Sequence, residues 1–79
     1  MTRKFMLCRY PINGFGTKNG MFYLLDVFGN KYDICNDYDK ELDEMNKLVV
    51  INDNWYCERT IDELIKTLEM RFDTKIEKW

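Results

Sequence analysis

The sequence contains no histidine, serine, alanine or glutamine, and only one proline and four glycines. Without serine or histidine no Ser-His-Asp triad can be assembled, and no imidazole is available to take the proton from a cysteine nucleophile. Three cysteines (Cys8, Cys35, Cys57) are too few for a four-ligand zinc site made of cysteine and histidine, and no two form a C-x-x-C pair. Their odd number and wide spacing make a poor disulfide framework and suit a reducing compartment, with each thiol packed as a small hydrophobe. Long apolar runs are missing as well. The longest unbroken one is Met21 to Leu25, whereas a bilayer-spanning helix needs about 20 residues. The basic-then-apolar start is interrupted by Arg9 and followed by no small-residue cleavage site, unlike a signal peptide. These absences predict a cytoplasmic protein with no membrane contact, no cofactor, no bound metal and no catalytic centre.

What is present suffices for one core. The 79 residues are 46% hydrophobic and 15% aromatic, which predicts a single domain over 1–79 rather than a disordered tail. A chain of this size buries only about 60% of its unfolded surface, so a partner can add to its stability. Charge is segregated along the chain. Residues 1–32 carry five basic side chains against Asp26 alone; residues 33–64 carry ten acids against three bases. If the fold keeps these halves apart, two surfaces of opposite potential result.

Periodicity sketches the elements. Alternation over 3–10 predicts a strand that Pro11 ends. Residues 13–20 form a loop; its third glycine, Gly20, falls one residue late for G-x-G-x-x-G, so it is not a phosphate loop. Met21–Phe28 is a strand with apolar residues on both faces, which predicts a central position or a second face closed by helices or a partner. A two-residue Gly29-Asn30 turn leads into a return strand over Lys31–Cys35. That register sets Asp26 against Asp33, an unfavourable pair unless the loop is longer. Asn36 or Asp37 then caps a short helix with Tyr38, Leu42 and Met45 on one face. Leu48–Ile51 is a strand, Asn52-Asp53-Asn54 a turn, and Trp55–Cys57 the start of a return strand. Thr60-Ile61-Asp62-Glu63 is a capping box, after which Ile61, Leu64, Ile65, Leu68 and Phe72 form one helical stripe. Met70 lies on the opposite face, and Thr74–Trp79 closes the chain as a weak strand. The order β-β-β-α-β-α-β predicts an α+β fold, a small antiparallel sheet of four to five strands with two helices packed on one face.

Two surfaces are candidates for function. The acidic one comprises Asp37, Asp39, Glu41, Asp43 and Glu44, with Trp55, Tyr56 and Trp79 as anchors, and it suits a larger protein with a basic surface. Asp37-x-Asp39-x-Glu41 has the alternating oxygens of a calcium loop, but Leu42 stands where an EF-hand loop needs glycine. The alternative surface interleaves Arg9, Lys18 and Lys31 with Tyr23 and Tyr32, a composition on which single-stranded nucleic acid can stack. A third reading is a homo-oligomer that closes strand 21–28 against its own copy.

In general character (small, acidic, rich in Lys, Asn, Ile, Tyr, Phe and Asp, and lacking Ala) the chain resembles accessory proteins of phages and mobile elements of low-GC bacteria, anti-CRISPR proteins among them. That resemblance is one of composition and brings no residues with it. It implies a non-catalytic inhibitor that occupies a surface of a host defence or nucleic-acid-handling protein.

Overall fold

A computed structural model of the chain describes residues 5–13, 16 and 18–78. It is an α+β fold of two sheets and one helix. The first sheet, sheet A, has the strand order β3-β2-β1-β7, from β1 (Phe5–Arg9), β2 (Phe22–Asp26), β3 (Lys31–Asp33) and β7 (Glu77–Lys78). The second, sheet B, has the order β4-β5-β6, from β4 (Cys35–Asp39), β5 (Glu44–Ile51) and β6 (Asn54–Glu58). The helix α1 (Ile61–Phe72) precedes β7. All neighbouring strands are antiparallel except β1 and β7, which pair in parallel.

The two-sided strand takes the central position, one of the alternatives its composition predicts: β2 lies between β1 and β3. Phe22 and Leu24 point inward with Phe5 and Leu7, while Tyr23 and Leu25 share the outer face with Cys8 and Met6. The Asp26–Asp33 clash is avoided by a longer loop. Lys31 pairs with Leu25 and Asp33 with Tyr23, leaving 27–30 as the connection, with Gly29 at φ 86°. Asp26 is buried, yet its carboxylate accepts hydrogen bonds from the Phe28 and Asn30 amides, the Asn30 side chain and the Tyr32 hydroxyl. Burial by itself would raise its pKa; the four donors outweigh that and hold it below the ordinary carboxylate value. Asp26 is thus the organiser of the turn that follows its strand.

The expected helix after Asn36 is not there. Residues 35–51 form a hairpin in which Tyr38 pairs with Met45 and Asp39 with Glu44. The spacing Tyr38, Leu42, Met45 fits a helix face and equally fits two paired strand residues with a third in the connecting loop. Local chemistry favours the hairpin. Asp39 Oδ1 accepts from the Glu41 and Leu42 amides, folding the chain back, and Asp43 takes a left-handed conformation at φ 52°. There is therefore one helix among the described residues, and two sheets rather than one.

The second hairpin matches its sequence signal. Asn52 and Asp53 both have positive φ (52° and 64°), as a two-residue type I′ turn requires, and Ile51 pairs with Asn54. Helix α1 begins where the capping box places it: the Glu63 amide donates to Thr60 Oγ1 at 3.1 Å. Leu64, Ile65 and Leu68 are buried, with Ile61 and Phe72 packed beside them. Asp73 ends the helix in the left-handed region, and the Ile76 amide then donates to the Glu69 carboxylate, fastening the return to β7. One core unites the inner faces: Phe5, Leu7 and Leu24 from sheet A, Val49 and Ile51 from sheet B, and the helix stripe. Phe72 touches both sides, against Phe5 at 5.4 Å and Tyr56 at 5.8 Å between ring centroids. Ile34, buried, carries the chain from one sheet to the other.

Candidate functional site

The inner faces of both sheets supply the core, though Asn36, Tyr38 and Met45 on the inner side of sheet B stay exposed; the outer faces lie outside it. On sheet B, strand alternation and register put Cys35, Asp37 and Asp39 of β4 beside Glu44, Asn46, Leu48 and Val50 of β5, and Trp55 and Cys57 of β6. Leu48 sits between Cys35 and Cys57, and Val50 faces Trp55. Trp55 is 72% exposed, a large ring on an open sheet. Around this apolar strip stand the carboxylates. Glu44 is paired with Arg59, whose Nε lies 3.1 Å from Glu44 Oε2. No cation is paired with Asp37 or Asp39 among the described residues.

Four of the predicted acidic-surface residues therefore share this outer face: Asp37, Asp39, Glu44 and Trp55, with Trp55 toward the opposite end of the sheet from Asp39 and Glu44. Glu41 and Asp43 belong to the β4–β5 turn, where Asp43 accepts a hydrogen bond from the Tyr38 hydroxyl. Tyr56 points the other way, into the core against Phe72, so it is not a surface anchor. Trp79 lies outside the described residues. Leu48, Val50, Cys35 and Cys57 were missed as surface residues; only the strand register reveals that aliphatic and thiol side chains fall on Trp55's side. The expectation of packed thiols holds for Cys8 alone, since Cys35 and Cys57 are exposed. Burial of the sulfur against the sheet, then the charges of Asp37, Glu58 and Asp39, push the Cys57 thiol above its ordinary pKa, which makes it a poor nucleophile. Asp37, Asp39 and Glu41 do not converge as a metal site.

Sheet A presents a different outer face. Tyr10 and Tyr23 are in contact at 4.4 Å between centroids, Lys31 lies over both rings, and Lys18 lies over Tyr10. The Tyr10 hydroxyl donates to Asp33 at 2.6 Å, and Lys18 pairs with the same carboxylate at 3.1 Å. The hydrogen bond to Asp33, with partial burial and the carboxylate's charge, pushes the Tyr10 pKa up to about 12. Of the residues expected to stack nucleic acid, Lys18, Tyr23 and Lys31 meet here, joined by Tyr10. Arg9 and Tyr32 do not: they share the inward-facing side with Phe22 and Leu24, and Tyr32 is spent on Asp26.

Elsewhere, Met70 is 85% exposed on the helix face away from the core, as its helical position predicts. No helix among the described residues is long and apolar enough to cross a membrane. No protein-family profile matches this chain, and neither a curated protein nor a solved structure shows significant similarity to it.

Proposed function

We propose that this chain is a non-catalytic protein-binding module that docks the outer face of sheet B on a basic surface of a larger protein. The observation that carries this reading is Trp55, held 72% exposed beside Val50 on the outer face of a sheet that also bears Asp37 and Asp39, neither of them paired with a cation among the described residues. A rigid aromatic loses little conformational entropy on docking, and an apolar centre with a charged rim is how protein interfaces are commonly arranged. The rim steers encounter and register, and the ring supplies affinity. The composition favours a phage or mobile-element product working in a bacterial cytoplasm as an inhibitor of a host protein, with nucleic-acid-handling proteins the natural owners of a basic surface.

Affinity purification from a low-GC bacterial lysate, run in parallel with wild type, Trp55→Ala and Asp37→Lys/Asp39→Lys, tests this. A partner retained by wild type is expected to bind Trp55→Ala at least about 30-fold more weakly. The double charge reversal is expected to weaken binding at low salt and to matter less at high salt. A partner held equally by all three proteins sinks the assignment.

A second reading, binding of single-stranded nucleic acid, has the Tyr10–Tyr23 pair with Lys18 and Lys31 in its favour. Both lysines already lie over the rings on which bases would stack, and Lys18 is paired with Asp33. Titration with a labelled oligonucleotide separates the readings: a binder shows log K falling steeply with log salt, and a flat signal at low salt removes this one.

A further inference from the structure

Between the two sheets, beside the start of α1, lies an open cleft of about 550 Å³. Its described lining includes two cations, Arg9 and Lys47, two side-chain amides, Asn19 and Asn36, and the apolar side chains Phe22 and Ile61, but no carboxylate. The cleft beside it, which shares Arg9, Phe22 and Ile61, is lined by Asp62, and the cleft at the other end of sheet A by Asp26 and Glu77. We propose that the Arg9–Lys47 cleft binds a small phosphate monoester carried on a flat or apolar group.

Both cations are held in place without being neutralised. Arg9 Nε donates to the Gly20 carbonyl at 3.1 Å, and the guanidinium carbon sits 5.2 Å from the centre of the Phe22 ring. These contacts use one donor and one face of the guanidinium, leaving the two terminal nitrogens as the fork that matches two phosphate oxygens. Lys47 Nζ donates to Asn36 Oδ1 at 2.5 Å. That bond orients the ammonium, leaves it two further hydrogens, and directs the Asn36 amide oxygen onto the lysine. No carboxylate pairs with either cation among the described residues. Ligand charge would thus meet positioned donors, with Phe22 and Ile61 as the wall for an uncharged body. A volume of this size admits a small organic phosphate and not a folded partner. The site lies on the inner side of sheet B, away from Trp55, so it stands or falls independently of the docking face.

The test is an amide and arginine side-chain NMR titration of the full chain with inorganic phosphate, adenosine, adenosine 5′-monophosphate and a short oligothymidylate. Saturable shifts centred on Arg9, Gly20, Asn36 and Lys47 are expected with the monophosphate, weaker ones with phosphate alone, and none with adenosine. Arg9→Met and Lys47→Met should each weaken the monophosphate about tenfold or more, Arg9→Lys less, and Lys75→Met not at all. The absence of saturable shifts up to ~10 mM monophosphate overturns the proposal. So does equal binding of adenosine, or monophosphate binding that shifts the Tyr10–Tyr23 face and leaves the cleft unmoved.

Discussion

On the outer face of sheet A, polar groups answer one another: Tyr10 gives its proton to Asp33, Lys18 pairs with the same carboxylate, and Lys31 rests over two tyrosine rings. On the outer face of sheet B, Trp55 and Val50 face water, and no cation answers Asp37 or Asp39 among the described residues. Both sheets cover the same core through similar apolar side chains, so core packing does not explain the contrast. A face that satisfies itself has little to gain from a partner; one that leaves a large ring and like charges exposed gains a great deal.

Leu68→Ala is expected to have the largest effect, because fully buried Leu68 packs in the core the two sheets share. A loss of about 2–5 kcal/mol, measured by urea denaturation, should leave little folded protein. Trp55→Ala, by contrast, should change stability by no more than about 0.5 kcal/mol while weakening the proposed partner binding at least about 30-fold. A large stability loss there would show that the ring serves the fold.

Asp26→Ala comes next, since it strands two backbone amides and the Tyr32 hydroxyl in the turn of sheet A. A fall in melting temperature of about 5–10 °C is expected. The pH dependence has a definite sign. A carboxylate whose pKa is lowered in the fold contributes fully above its ordinary value of 3.8, and the contribution disappears as pH falls through the lower, folded value. Wild type should therefore lose stability in that acid window, and Asp26→Ala should lose less of it.

Tyr10→Phe is the smallest change and tests whether the outer face of sheet A is self-satisfied. It should cost about 0.5–1.5 kcal/mol at neutral pH. The Tyr10 pKa is raised from 10.0 to about 12, so its neutral form is favoured in the fold. The stability this adds is whole below pH 10 and is lost as pH rises toward 12. Alkaline denaturation of Tyr10→Phe should lack that component; an unchanged profile would show that the Asp33 bond contributes nothing.

Legibility in the sequence followed how local each signal was. Helix α1 was readable because its cap, stripe and length all lie within 60–72. The turn read over Asn52-Asp53-Asn54 was visible for the same reason, as residues that tolerate left-handed backbone between two β-rich runs, although Asn54 belongs to the return strand. The hairpin over 35–51 was not. Three apolar residues set the apparent helical period, while the poor helix formers Asn36, Asp37 and Asp39 pointed the other way. The acidic surface was half legible: Asp37, Asp39 and Glu44 as charges, but not their company with Leu48 and Val50. Tyr56 was misjudged because neighbours on a strand face opposite sides, and only cross-strand pairing decides which of Trp55 and Tyr56 is inside. Arg9 and Lys47 lie far apart in the chain, and nothing local announces that they line one cleft.

The chain crosses from sheet A to sheet B through Ile34 alone, and the in–out alternation runs through it without a break: Tyr32 inward, Asp33 outward, Ile34 inward, Cys35 outward. A single residue added or lost at this joint would invert every side chain that follows in β4, moving Asp37 and Asp39 to the inner side of the sheet and Asn36 and Tyr38 to the outer side. Substitution at the joint is a matter of fit, but its length is a matter of parity. One residue therefore keeps the two halves of the molecule chemically distinct, and the identity of each surface is counted out along the backbone before any side chain is chosen.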